Sequence, residues 1–101
     1  MRFNIIPTIN FNIQLSELDE KSRRIIHEKI QLIKQNPYRN KRIHTKTFSK
    51  VFRIRLKIQS KERRLIYLVT EPNIILVCFL DRDKDYKDLE KYLNKIKKEL
   101  S

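Results

Sequence analysis

Residues 52–86 read FRIRLKIQSKERRLIYLVTEPNIILVCFLDRDKDY. This stretch decides the fold, because it resolves into three consecutive β-strands joined by short polar turns. Phe52, Ile54 and Leu56 alternate with Arg53 and Arg55, so both guanidinium groups leave one face of a single strand. The strands are expected over Val51–Ile58, Arg63–Thr70 and Ile74–Leu80, with turns at Gln59-Ser60-Lys61-Glu62 and Glu71-Pro72-Asn73. Connections this short make sequential strands antiparallel neighbours. Arg64 opens the second apolar run, and Arg82, Lys84 and Tyr86 follow the third.

Working outward, 101 residues form one domain (1–101) with one core. An apolar content of 40% with ordered periodicity argues for a folded chain despite 36% charged residues. The formal net charge is +12, from 24 Lys+Arg against 12 Asp+Glu, which favours a polyanionic partner. The excess is concentrated: between Arg39 and Arg64 the only acid is Glu62. A solvated Lys-rich surface is the plain alternative, but an ordinary exposed sheet face mixes both signs with Ser and Thr. Like-charged cross-strand neighbours repel unless an anion neutralises them.

Towards the N-terminus, Arg2–Ile6 reads as a first strand. The alternation of Phe3, Ile5, Pro7, Ile9, Phe11, Ile13 and Leu15 continues past Pro7, which leaves open a second short strand or a short helix over 8–15. Ser16 or Asp19 can cap a helix reaching Gln35, in which Ile26, Ile30 and Ile33 share a face and Asn36-Pro37 ends the run. Tyr38–Ser49 is a basic connection with room for a short strand around Ile43–Thr47. A last helix starts at Asp83 or Asp85, with Tyr86, Leu89, Leu93, Ile96 and Leu100 as an apolar stripe. That stripe packs on the domain's own sheet or captures a partner.

The fold expected is therefore a small α+β domain. An antiparallel sheet of about four strands carries N-terminal helical structure on one face and a C-terminal helix. The chain has no glycine, so its turns fall to Asn, Asp, Ser and Pro, and a glycine-rich phosphate cradle is excluded. Cys78 is the single cysteine and lies within an apolar run, as a buried structural thiol does. With no disulfide, no signal-peptide pattern and no membrane-length apolar stretch, a cytoplasmic protein is expected.

His27 and His44 have no second ligand at metal spacing, so no metal site and no cofactor is expected. His44 could serve as a general base for RNA cleavage, though a lone exposed histidine is usually a surface residue. The acids Asp81, Asp83, Asp85 and Asp88 are explained by capping of the last helix.

At Asn36-Pro37, Phe52-Arg53-Ile54-Arg55-Leu56, Arg64-Leu65-Ile66-Tyr67, Ile74–Leu80, Arg82/Lys84 and Tyr86 the chain resembles the RelE/ParE superfamily of type II toxin–antitoxin toxins. The resemblance rests on order and spacing over most of the length rather than on one motif. RelE-like members are ribosome-dependent mRNA endonucleases, whereas ParE-like members poison DNA gyrase and lack the catalytic cations. Carried over by position, the resemblance implies Arg53, Arg55, Arg64, Arg82 and Tyr86 as the catalytic set, which favours the nuclease branch. Lys46, Lys50, Lys57, Arg63 and Lys84 are the further RNA-binding cations expected. Tyr86 has two readings, stacking on a base or filling the first core position of the last helix. The sequence departs from the pattern by lacking the family's glycines before Val51–Ile58 and before Arg64, and by using arginine where lysine is common, a poorer proton acceptor.

The resemblance also implies partners: an acidic antitoxin, mRNA on the ribosome with rRNA contacts, and no membrane. The alternatives are a ParE-like gyrase inhibitor and a non-toxic, basic nucleic-acid-binding module.

Overall fold

The computed structural model describes residues 2–81 and 87–100. It is an α+β domain with strands β1 (Asn4–Pro7), β2 (Lys41–Ile43), β3 (Val51–Ile58), β4 (Lys61–Thr70) and β5 (Asn73–Asp81), and helices α1 (Ile9–Ser16), α2 (Glu20–Gln35) and α3 (Lys87–Leu100). The sheet order is β1-β5-β4-β3-β2, so it has five strands where about four were expected. β1 runs parallel to β5, which makes the sheet mixed rather than purely antiparallel. The short strand lies at Lys41–Ile43, just before the expected Ile43–Thr47, and pairs with Val51–Arg53 at the sheet edge.

The N-terminal ambiguity resolves as a strand followed by a helix. Thr8 caps α1: its hydroxyl accepts from Phe11 N–H (3.0 Å) and donates to Val77 O (2.8 Å), turning the chain as it leaves β1. Alternation was the wrong period there. Ile9 and Ile13 stay exposed, while Phe11 is buried and Leu15 packs against the same core, four residues apart on one helix face. Asp19 rather than Ser16 caps α2, accepting from Ser22 N–H at 2.8 Å; a hydrogen bond from the Ser22 hydroxyl, and then that backbone bond, hold its carboxyl below the usual range.

The sheet separates two apolar layers. Under α1 and α2 lie Phe11, Ile26, Ile33, Phe52, Leu56, Ile58, Leu65, Tyr67 and Phe79. Under α3 lie Val51, Ile66, Leu68, Ile75, Val77, Cys78 and Leu80, covered by Leu89, Leu93 and Ile96. Strands β4 and β5 are buried on both faces, hence their nearly continuous apolar runs. Ile66 pairs with Cys78 but Tyr67 pairs with Leu76, so Val77 is an extra residue and both Val77 and Cys78 join the α3 side.

α3 does pack on the domain's own sheet, but Leu100 is exposed and lies beyond the contact. Tyr86 is outside the described residues. The helix is also held at the side by Thr47, which donates to Glu90 Oε2 (3.0 Å), and by Lys46 N–H, which lies 3.4 Å from Oε1. Without glycine, the β3–β4 hairpin turns on Gln59 and Ser60 at φ of 52° and 65°, between the paired Ile58 and Lys61. Burial holds the Cys78 thiol up at about 12, with Asp88 adding to the shift. Among the described residues no helix is long and apolar enough to cross a membrane.

Candidate nucleic-acid interface

Strand β3 sends Phe52, Ile54, Leu56 and Ile58 into the α1/α2 layer, which puts Arg53, Arg55 and Lys57 on the opposite face. Register extends this set sideways. Lys41 of β2 lies directly opposite Arg53, and Arg64 of β4 lies directly opposite Arg55. Val69 N–H donates to Lys50 O at 2.9 Å, which fixes the phase of the ladder. Arg55 and Arg64 accordingly fall in the more closely spaced, non-hydrogen-bonded class of pair. Two like-charged cross-strand pairs therefore stand side by side on this face, and next to them Lys57 lies opposite Glu62. Arg53 and Arg64 are half-buried, whereas Lys41, Arg55 and Lys57 are exposed.

Not every expected cation joins them. Arg63 points to the other face of the sheet, where its Nε donates to Asp81 Oδ1 at 3.0 Å and its guanidinium sits 5.6 Å from the centre of the Phe79 ring. Parity explains the placement: adjacent residues of a strand face opposite ways, so Arg63 and Arg64 lie on opposite faces of the sheet. The same ion pair gives Asp81 a role other than capping the last helix. Lys50 is also displaced, with its Nζ 5.7 Å from the Tyr38 ring on the α1/α2 side. Lys46 is exposed beside α3. Arg82, Lys84 and Tyr86 fall outside the described residues. His27 and His44 are both exposed, and among the described residues no three His, Cys, Asp or Glu side chains gather as metal ligands would.

Asn40, Lys41 and Tyr67 are residues that sequence reasoning did not place at the site. Tyr67 is fully buried and stacked on Phe52, its phenol donating to Pro37 O (2.6 Å) and accepting from Asn40 Nδ2 (3.0 Å). Burial pushes its pKa up to about 12, so it is a neutral donor at any physiological pH. Asn40 and Lys41 border a shallow hollow of about 360 Å³ shared with Arg53, Ile54 and Arg55. The Arg64–Tyr67 spacing was visible in the sequence. That Tyr67 reaches back to the loop after α2 was not.

No family model and no curated protein matches this chain. Solved structures do. The free E. coli toxin RelE, as a double arginine-to-alanine mutant, superposes with a TM-score of 0.73 at 13% identity, covering 95% of this chain and 98% of that one. RelE in the intact E. coli RelBE toxin–antitoxin complex gives 0.65 at 16% identity over 83% of this chain and 100% of that one. An archaeal RelE–RelB complex from Pyrococcus horikoshii gives 0.61 at 16% identity over 84% and 100%. The molecule is thus an α+β domain with helices on both faces of a five-stranded sheet. That architecture is the RelE-like fold, with cations placed in paired register on one face.

Proposed function

We propose that this protein is the toxin of a type II toxin–antitoxin pair and cleaves mRNA on the ribosome. The observation that carries the reading is the juxtaposition of Lys41 with Arg53 and Arg55 with Arg64 on a RelE-like sheet. Like charges directly opposite each other cost stability, and a phosphate between them reverses the sign of that interaction. A folded chain that keeps two such pairs adjacent suits an anionic ligand.

The reaction is transesterification: the RNA 2′-hydroxyl attacks its own 3′-phosphate and gives its proton to water, the bond from phosphorus to the 5′-oxygen of the next nucleotide breaks, and that oxygen takes up a proton from water. The substrate brings the nucleophile, so the protein's part is positioning and stabilising charge on the phosphorane. Arg64, half-buried and planar, clamps the nonbridging oxygens through two parallel N–H groups. Arg53 and Arg55 neutralise the flanking backbone. Being guanidinium groups they stay charged and act electrostatically rather than as proton acceptors. Arg82 stabilises the departing oxygen and Tyr86 stacks on a base at the scissile step, as the resemblance implies. The partner that holds the toxin inactive is a small acidic protein that meets the net charge of +12, in keeping with the RelB-bound neighbours.

Inducible expression followed by mapping of mRNA 5′ ends tests the reading. Wild type should halt growth and produce new ends within translated codons, and Arg64→Ala should do neither while folding normally. Growth arrest without new ends, accompanied by lost gyrase supercoiling, would place the protein with gyrase inhibitors instead.

A further inference from the structure

β2 covers β3 only as far as Arg53. From Ile54 to Ile58 the outer edge of β3 has no strand beside it among the described residues. The phase set by Val69 N–H and Lys50 O directs the peptide groups of Val51, Arg53, Arg55 and Lys57 away from β4. Val51 and Arg53 meet β2 there; Arg55 presents its N–H and C=O to the open edge, where Arg55 also lines the hollow with Asn40, Lys41, Arg53 and Ile54.

Asn40 is oriented for this hollow by the core. The Tyr67 hydroxyl gives its only proton to Pro37 O at 2.6 Å, so towards Asn40 it offers a lone pair and must receive a donor. That requirement fixes the Asn40 amide with Nδ2 inward, leaving Oδ1 as the outward group. The hollow thus combines a hydrogen-bond acceptor on Asn40, a peptide donor and acceptor on Arg55, and the cations of Lys41 and Arg53. A planar ring that carries both donors and acceptors, attached to a phosphate, satisfies all of them.

We infer that this hollow at the open edge of β3 is a nucleotide subsite, in which Asn40 Oδ1 accepts from the exocyclic amine of the base while Lys41 and Arg53 hold its phosphate. Adenine, cytosine and guanine carry such an amine; uracil alone among the RNA bases has none and would set a carbonyl oxygen against Asn40. Asn40 is a specificity-determining contact and Tyr67 a positioning residue that acts through it. The inference rests on the RNA-directed reading above and gives that reading a sequence preference.

Titration of the full-length ¹⁵N-labelled protein with AMP, CMP, GMP and UMP tests it without any need for cleavage. The Arg55 backbone amide and the Asn40 side-chain amide should shift, with UMP binding at least threefold more weakly than AMP or CMP. Asn40→Ala should bring the UMP:CMP affinity ratio to within about 1.5-fold, leaving inorganic phosphate binding unchanged. Tyr67→Phe should flatten the same ratio, which a purely structural role would not do. Equal affinity for all four nucleotides, a preference that survives Asn40→Ala, or shifts confined elsewhere would overturn the subsite. So would a glutamate-rich extended peptide that shifts the Arg55 and Lys57 amides while no nucleotide does, since the edge would then belong to a protein strand. A protein that binds nucleotides with this preference yet cuts no mRNA loses the nuclease reading and keeps the subsite. One that cuts mRNA with an end distribution indifferent to Asn40→Ala, and shows no nucleotide preference, does the reverse.

Discussion

Arg55 and Arg64 face each other directly across β3 and β4, in a non-hydrogen-bonded position where side chains come closest. Opposed charges there are worth roughly 0.2–1 kcal/mol and like charges cost a similar amount. Replacing Arg55 should therefore separate stability from function. Arg55→Gln should raise the melting temperature by a few degrees, from roughly 0.5 kcal/mol of relieved repulsion. The same change should reduce mRNA cleavage at least tenfold. It should also lower the slope of log affinity against log salt for single-stranded RNA by about 0.7, one phosphate contact. A variant that melts lower while cutting normally would sink the anion-site interpretation.

Arg63 and Arg64 are neighbours in sequence with opposite assignments. Arg63→Ala loses a partly solvated ion pair with Asp81 and a contact with Phe79, at a cost of about 1 kcal/mol or less, and should leave cleavage unchanged. Arg64→Ala should abolish cleavage. Parallel measurement of mRNA ends and chemical denaturation for the two variants checks the contrast.

The hairpin at Gln59-Ser60 holds two non-glycine residues at positive φ. The left-handed conformation costs an ordinary L-residue about 1–2 kcal/mol, and a two-residue hairpin of this kind prefers Asn-Gly. The double change Gln59→Asn and Ser60→Gly should stabilise the domain by about 1 kcal/mol or more, read as a shift of the urea midpoint at constant slope. An unchanged or lowered midpoint would show that the turn is not strained.

Alkaline pH should weaken the fold. Burial raises the folded-state pKa values of Tyr67 and Cys78 to about 12, from ordinary values of 10.0 and 9.0. Both are neutral when protonated, so the folded state keeps its protons where the unfolded state has begun to release them. Their stabilising effect is complete below about pH 9, declines through pH 9–12, and is gone above the folded-state values. Tyr67→Phe should remove the part of this decline that begins near pH 10. Cys78→Val should remove the part that begins near pH 9. Urea denaturation at a series of pH values gives both.

The stripe of α3 should be graded by burial. Leu93 is fully buried, and Leu93→Ala should cost about 2–5 kcal/mol. Leu100 is exposed, and Leu100→Ser should fall within about 0.5 kcal/mol of wild type by the same denaturation measurement.

Local pattern was enough for much of this molecule. The alternation of Phe52, Ile54 and Leu56 with Arg53 and Arg55 fixes which side chains share a face, because the period of a strand is two whatever surrounds it. The α2 stripe, the antiparallel β3–β4–β5 run and the burial of Cys78 follow from equally short-range regularities. Tertiary structure decided what depends on register and on partners distant in sequence. Residues 9–15 satisfy a period of two and a helical i, i+4 pair alike, and only packing of Phe11 beneath β5 selects the helix. Lys41 comes to stand beside Arg53 only because β2 returns to that edge, and Asn40 gains its orientation from Tyr67, 27 positions away. The cationic face announced in residues 52–86 was thus a property of the chain. Its pairing, the contacts of Arg63 and Lys50 on the opposite side of the sheet, and the hollow beside it are properties of the fold, since hydrogen-bond register, unlike periodicity, is written in no single segment.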